Sequence, residues 1–477
     1  MDVQKNSAIA TDAKATGPGG GAGGGAPGGA PGGARGDTIA AVSSGTGGAV
    51  AVLRLSGPQA GVALTALAGR LPEPRRAQLA RLRDPATGEV LDQGLALWFP
   101  GPRSATGEDM AELQIHGGRA VVAAVLGAVL TVPGLRPAEA GEFTRRAFLN
   151  GRMDLTEAEG LADLIAAETQ AQRRLAFAHA FGHLGQQVEA WRGRLIRAMA
   201  LVEAGIDFAD EDDVPAGARA LAKPEVAALL EELTAALADR RGALVREGAL
   251  IAIAGLPNAG KSSLLNALAR REVAIVSDEP GTTRDLLEVA LDLDGHKATL
   301  VDTAGLREAE SRVEAEGIRR ARARMAQADL VLWVHDLSDG PAPAEPPVAA
   351  EAPLWLLGNK VDRAAGLPAP VRSWAGHQLT LSAARGEGLE ELTGALSRFI
   401  AERAAGEHPA LLRARHRASA EEARAQIAHA LAQWDRLDDE LLAEELRLAA
   451  RALGRMTGAI GVEDLLDVVF REFCIGK

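Results

Sequence analysis

A lysine and two hydroxyls close a glycine-framed loop in Gly255-Leu256-Pro257-Asn258-Ala259-Gly260-Lys261-Ser262-Ser263. An apolar run from Ala249 to Ala254 precedes the loop and Leu264 to Ala269 has helical spacing, so a strand leads in and a helix leads out. That context suits a polyphosphate. The glycines let the amides around Asn258, Ala259, Gly260 and Ser263 turn inward, the helix start adds partial positive charge, and Lys261 can bridge β- and γ-phosphate oxygens. Ser262 then becomes a ligand for Mg²⁺. An ordinary glycine turn before a helix is the competing reading, and it weakens as further motifs are counted.

The next is Asp302-Thr303-Ala304-Gly305, at the end of a strand that starts at Lys297. Asp302 can hold the hydration shell of Mg²⁺ and the Gly305 amide can touch the γ-phosphate. Between these two motifs, Gly281-Thr282-Thr283-Arg284-Asp285 offers a hydroxyl that a mobile switch could close over the metal, Thr283 first and Thr282 as the alternative. Asn359-Lys360-Val361-Asp362 follows the apolar strand Pro353 to Leu357. A carboxylate at Asp362 can accept from both N1–H and the exocyclic amine of guanine, a donor pair that adenine lacks. Ser382-Ala383-Ala384 completes the base pocket, and GTP is preferred to ATP as the ligand.

One absence bears on mechanism. Ras-like hydrolysis orients water with a glutamine just after the glycine of the Asp-x-x-Gly motif, but Leu306 follows Gly305 here. The positioning group must then come from the acidic stretch Glu308 to Glu316 or from a second chain. Glu314 is the named candidate, against the alternative that these acids are merely solvated.

The elements around this constellation suggest several domains. The chain has 477 residues, 47% of them hydrophobic, which is too long for one core. Aromatics make up only 3%, so Leu, Val, Ile and Ala must fill the interior, favouring closely packed helices. A net charge of -12 argues against nucleic-acid binding by bulk electrostatics while leaving room for a local basic patch. A single cysteine, Cys474, cannot form an internal disulfide, and with no membrane-length apolar run the expected location is the reducing cytoplasm.

Residues 1–36 read as a flexible Gly/Ala/Pro-rich tail. Residues 37–150 read as a small α+β domain, with strands at Ile39 to Val42, Ala49 to Leu55, Leu95 to Phe99 and Ala111 to Ile115. Pro58 to Leu67 and Arg75 to Leu82 are expected to be helical or irregular. Residues 151–245 form the first part of a helical domain. Leu161, Leu164, Ile165 and Glu168 step along one helix, Trp191, Leu195, Ala198, Val202 and Ile206 along another, and a third runs from Pro224 to about Leu244. Residues 246–400 alternate strands and helices. Helical spacing resumes in 401–477 through Ile427, Leu431, Trp434, Leu441, Leu448 and Leu453. The implied fold is an α+β multidomain chain: an α+β amino-terminal domain, a discontinuous helical bundle, and an inserted Ras-like α/β P-loop G domain.

These motifs, the inserted placement and the ending Phe473-Cys474-Ile475-Gly476-Lys477 together resemble the MnmE (TrmE) family of tRNA modification GTPases. The resemblance extends from about Asp37 to Lys477 and takes in Ala51-Val52-Leu53-Arg54-Leu55-Ser56-Gly57, Thr106 to Asp109, His116-Gly117-Gly118, Gly141 to Thr144 and Asn150 to Leu155. It implies a homodimer formed through an amino-terminal domain that binds a 5,10-methylene-tetrahydrofolate donor. It also implies a separate FAD- and NADH-using partner, MnmG (GidA), in a heterotetrameric or larger complex. The joint product is a carboxymethylaminomethyl or aminomethyl group on carbon 5 of the tRNA wobble uridine. The G domains approach each other on GTP binding, helped by K⁺.

Carried over by position, Asn258 resembles the K⁺ ligand of the phosphate loop, Ser277 to Thr282 with Glu279 resembles the loop wrapping that ion, and Glu314 resembles the glutamate that orients the attacking water. Arg54 and Glu108 are candidates for the folate pocket, although a turn-rich domain with a salt bridge would look the same. Ala105 stands where the family has an aromatic. The tail would place Cys474 near the one-carbon site, its chemical role open. His116 is a base or a turn histidine, with no role assigned in hydrolysis. Arg413, Arg415, His416 and Arg417 either touch tRNA phosphates or form a solvated helix start. The competing functions are a regulatory switch recruiting partners in ribosome assembly and a scaffold with a vestigial nucleotide site.

Overall fold

Alternating burial builds the first sheet. In the computed structural model, which describes residues 36–45, 47–207, 218–271, 274–275, 288–302, 326–342, 352–364, 377–406, 409, 411–460, 466, 469–470, 473 and 475–476, the strands are β1 (Thr38–Val42), β2 (Val50–Ser56), β3 (Gln78–Arg83), β4 (Val90–Phe99), β5 (Met110–His116) and β6 (Leu135–Pro137). Their order is β3-β4-β5-β2-β1-β6, antiparallel except for β1 with β6. Leu53, Leu55, Leu113 and Ile115 face helices α1 (Ala60–Ala68) and α2 (Arg119–Leu130), while Ile39 and Ala41 point the other way onto Phe143 of α3 (Glu142–Leu149). The expected helical or irregular stretch from Arg75 to Leu82 is instead largely strand. Ala80 and Leu82 enter the core while Arg81 and Arg83 stay outside, a two-residue period hidden by the smallness of Ala80.

The helical part begins with α4 (Leu155–Ala166), α5 (Gln170–Ala180), α6 (His183–Asp207), α7 (Ala218–Ala238) and α8 (Arg241–Glu247). Asp154 with Glu157, and Thr169 with Gln172, form capping boxes that start α4 and α5. The second box explains a departure from the expected stripe, because Glu168 lies between the two helices and Ile165 is exposed. The expected start at Pro224 is also displaced: α7 begins before it, and the helical run is interrupted at 239–240.

Between α8 and the returning bundle lie β7 (Ala249–Gly255), α9 (Lys261–Ala269), β8 (Glu288–Leu293), β9 (His296–Asp302), β10 (Leu330–Asp336), β11 (Leu354–Asn359), β12 (Gln378–Thr380) and α10 (Leu389–Ala404). The sheet order is β12-β11-β10-β7-β9-β8, parallel except for β8 with β9. Helices α11 (Ala414–Ala432) and α12 (Asp439–Thr457) then return to α6 and α7. One apolar cluster joins Trp191, Leu195 and Leu229 with Ile427, Trp434 and Leu446, each burial contributing roughly 1.5–3 kcal/mol. Leu441 and Leu448 lie outside this cluster, exposed, so Leu442, Leu446 and Leu453 form the inward stripe of α12.

The carboxyl terminus returns to the first domain. Phe470 and Phe473 pack with Leu155, and Ile475 bridges Ala140 in an antiparallel contact. Gly476, at φ 95°, runs so close to β1 that an added Cβ would lie 2.2 Å from the carbonyl oxygen of Val42. Residues 1–35 of the proposed tail lie outside the described residues.

Candidate nucleotide-binding site

The parallel strands of the second sheet deliver their carboxyl ends to one edge, where α/β sheets bind ligands. Ile253 of β7 pairs with Asp302 of β9, and Asp336 of β10 pairs with Asn359 of β11. The phosphate loop joins β7 to α9. Asn258 adopts φ 63° and Gly260 φ 95°, and a Cβ on Gly260 would lie 2.2 Å from the Asn359 amide nitrogen. Glycine at 260 therefore lets the base-reading loop approach the phosphate loop directly.

Lys261 is 8% exposed and donates from Nζ to the carbonyls of Gly255 at 3.0 Å and Leu256 at 2.9 Å. Its ammonium is thus held at the loop mouth by backbone oxygens. Ser262 Oγ donates to Asp302 Oδ2 at 2.8 Å. A hydroxyl and a carboxylate side by side form the hard-oxygen set that a small divalent cation requires, so these residues fit Mg²⁺. Among the described residues no cluster of three His, Cys, Asp or Glu side chains could hold a metal. Ser263 and Ala259 occupy the same loop and helix start, Ala259 buried.

The base end is tied to this loop by side chains of the Asn-Lys-x-Asp segment. Asn359 Nδ2 donates to the Ala259 carbonyl at 2.8 Å, while its Oδ1 accepts from the Ala383 amide at 3.1 Å. Lys360 Nζ donates to the Asn258 carbonyl at 2.8 Å and to Asp336 Oδ2 at 2.5 Å. A hydrogen bond from Ser382 is the main cause holding the Asp362 carboxyl below its ordinary range, with Arg385 and Arg363 adding to it. An ionised acceptor is the state that reads a guanine donor pair. Ser382, Ala383 and Ala384 are thus brought beside Asn359 and Asp362.

Asp336 is a positioning residue missed in the sequence. Burial raises its pKa, but bonds from Lys360 and Ser338 outweigh that and lower it overall. Its signal was present: an acid ends the apolar run Leu330 to Val334 at the ligand edge of the sheet. Ser277, Glu279, Thr282, Thr283, Thr303, Ala304, Gly305, Glu314 and Cys474 lie outside the described residues.

The folate candidates belong to two ion-pair sets. Arg54 faces Glu112 across β2 and β5 at 2.9 Å, whereas Glu108 accepts from Ser56 at 2.8 Å and Arg146 at 3.0 Å. Arg146 also reaches Asp37 and Glu142. His116 sits at the exposed end of β5, with its ring nitrogen and backbone amide both on Asp92 at 2.8 Å. That geometry matches the turn-histidine reading.

Neither reading of Arg413 to Arg417 survives. Arg413 and His416 are buried, Arg415 makes a two-pronged contact to Glu159 at 2.6 and 3.0 Å, and His416 Nε2 meets Glu159 at 2.7 Å. Arg413 bonds Asp163 at 2.8 Å, and Arg417 donates to the carbonyls of Asp239 and Leu237. The cluster fastens the returning chain to α4 because Glu159, mid-helix and 3% exposed, needs cationic partners.

A six-stranded sheet of this order, with a phosphate loop after β7 and an Asn-Lys-x-Asp loop after β11, defines a Ras-like P-loop G domain within an α+β multidomain chain. The family profile for the MnmE helical domain matches residues 155–474, and that for the GTP-binding protein TrmE N-terminus matches 38–152. The tRNA modification GTPase MnmE of Azorhizobium caulinodans is 54% identical over 445 residues, covering 92% of this chain and 99% of that protein. Its Parvibaculum lavamentivorans counterpart is 54% identical over 451 residues, covering 92% and 100%. The FeoB G-domain of Methanococcus jannaschii aligns at 26% identity and a TM-score of 0.22, over 32% of this chain and 97% of that one. The chain belongs to the MnmE family. Among the described residues no helix is long and apolar enough to cross a membrane.

Proposed function

We propose that this chain binds and hydrolyses GTP and uses that cycle in modifying the wobble uridine of tRNA. The observation that carries the nucleotide reading is the Asn359 side chain, which joins the phosphate loop at Ala259 to the base loop at Ala383. In hydrolysis water attacks the γ-phosphorus, the bond to the β,γ-bridging oxygen breaks, and GDP and inorganic phosphate leave. Lys261 turns from the backbone carbonyls toward β- and γ-oxygens, and Ser262 and Asp302 hold the cation's side of the triphosphate. Mg²⁺ supplies charge neutralisation there when bound. Asp362 accepts from the guanine edge.

Glu314 orients the water, and Thr283 closes over the metal. Asn258, with Ser277, Glu279 and Thr282, would hold K⁺, which would supply positive charge beside the phosphates in place of an arginine finger. The amino-terminal domain, with Arg54 and Glu108, binds methylene-tetrahydrofolate and forms a homodimer. An FAD- and NADH-using MnmG partner completes the aminomethyl or carboxymethylaminomethyl transfer in the cytoplasm, with Cys474 beside the one-carbon donor. Family membership and the tail's return to Ala140 and Val42 support this part.

The test is reconstitution of the full chain with the partner, tRNA, methylene-tetrahydrofolate, FAD, NADH and GTP, followed by nucleoside analysis. Modified uridine is expected with wild type. Glu314→Ala is expected to keep GTP binding and lose most turnover, and turnover in KCl should exceed that in NaCl at matched ionic strength. Absence of modified uridine in the complete mixture, with GTP turnover intact, would leave a switch GTPase without this substrate.

A further inference from the structure

The chain has nine Phe, six Trp and no Tyr, and among the described residues Phe177 and Phe181 are the only exposed members of that set. They are 50% and 65% exposed. Their rings lie with centroids 4.4 Å apart and planes inclined at 36°, an offset pair that leaves outer ring surface open to solvent. Gln172, Leu175, Ala176 and His179 form the buried side of α5. At about 100° per residue, Arg173, Phe177 and Arg174 share the opposite arc with an arginine on each side of Phe177, and Phe181, which caps the helix, packs its ring on Phe177. Both arginines are exposed. Arg173 Nε donates to Gln170 at 3.0 Å, and among the described residues no carboxylate forms an ion pair with either guanidinium.

The platform beneath them is fixed. The α5 capping box holds its start, Ala171 N donates to the Gly295 carbonyl at 2.8 Å, Gln172 Nε2 donates to the Arg246 carbonyl at 2.9 Å, and His179 Nε2 meets the Pro409 carbonyl at 3.0 Å. Little ordering is therefore left to be done on binding. Two rings fall far short of the ~800 Å² per partner that a stable protein interface buries. A base stacked on a ring, with neighbouring phosphates on flanking arginines, is satisfied by a patch of this size.

We propose that Phe177, Phe181, Arg173 and Arg174 form a contact site for unpaired nucleotides of RNA. A base stacks on the ring pair and adjacent phosphates meet the two guanidinium groups. This rests on the reading that the chain acts on tRNA, and it adds where on the helical domain an exposed loop of that RNA is held. The acidic chain thereby binds RNA through stacking and a local cationic edge rather than through its overall field.

Binding of the full-length chain to an unmodified anticodon stem-loop, and to a fully paired duplex of equal length, tests the site. Wild type should favour the stem-loop. Phe177→Ala/Phe181→Ala and Phe177→Leu/Phe181→Leu should each lose about tenfold or more in stem-loop affinity, because leucine keeps apolarity but cannot stack. Arg173→Gln/Arg174→Gln should weaken binding and flatten its salt dependence. GTP affinity and circular dichroism should be unchanged in all three, as these side chains are exposed. Retained affinity in the leucine pair alone overturns stacking in favour of plain apolar docking. Wild-type affinity in all variants overturns the site while leaving the tRNA reading intact, and no binding by wild type overturns both.

Discussion

Two regions of this molecule bury charge, and they do so in opposite ways. In the seam between α4 and α11, Glu159 is closed off by Arg415 and His416, and Asp163 by Arg413 and Arg246. The charges there pair across the fold and are spent on joining two stretches of chain about 250 residues apart. At the nucleotide edge, Lys261 and Asn359 make hydrogen bonds to backbone carbonyls and amides, beside the Lys360–Asp336 ion pair. Backbone dipoles of this kind fix where the ammonium and the amide sit, so that both are placed before a ligand arrives. Ion pairs between distant stretches of chain dominate the seam, whereas hydrogen bonds to peptide groups within neighbouring loops recur at the nucleotide edge.

Substitutions that remove a charge from each region put this contrast to work. Lys261→Ala is expected to reduce GTP turnover by about a thousandfold with an unchanged denaturation midpoint, measured by phosphate release and urea unfolding. Glu159→Ala is expected to do the reverse, costing about 3–5 kcal/mol of stability by leaving the Arg415 guanidinium without its counter-charge and His416 without its acceptor, while the folded fraction keeps its GTP affinity. Equal effects of the two changes on both readouts would erase the distinction. Asp362→Asn should weaken GTP about a hundredfold and improve xanthosine triphosphate, since an amide donates to the oxygen that replaces the guanine amine. Titration calorimetry with both nucleotides checks this.

The smallest effect concerns pH. Burial lowers the His416 pKa below 6.5, which keeps its ring neutral, and the bond to Glu159 only partly offsets that. Burial also pushes Glu159 up, but bonds from His416 and Arg415 win and hold it at about 2. For His416 the unfolded chain takes up the proton first, so its contribution is whole above pH 6.5 and declines as pH falls. For Glu159 the contribution is whole above about pH 4.5 and is lost toward pH 2. Of these two groups the histidine is the one that acts between pH 7.5 and 5.5, with a slope bounded by about 1.4 kcal/mol per pH unit. The urea midpoint should fall across that interval in wild type and stay flatter in His416→Gln.

Much of the nucleotide site was legible because its motifs are local. Gly255 to Ser263 and Asn359 to Asp362 each carry their requirements within a few residues, and the strands before them are plainly apolar. What was not legible depended on partners distant in sequence. Glu159 is an ordinary helix residue until α11 arrives beside it, so Arg415 and His416 read as surface. Asp336 shows in the sequence as an acid closing an apolar run, but its tie to Lys360 needs the parallel register with Asn359. The strand at Gln78–Arg83 was obscured by its own chemistry, with alanine for one inward position and arginines outside. The Phe177 and Phe181 pair was invisible because helical spacing alone does not say which face is buried.

The central claim is that the edge between Gly255 and Asp362 holds a guanine nucleotide. Titration calorimetry of the folded chain with Mg²⁺, comparing GTP, GDP and ATP, tests it most directly. Saturable binding of both guanine nucleotides with ATP weaker by at least about a hundredfold is the expected result. Equal binding of ATP, or no uptake of GTP or GDP, would contradict it.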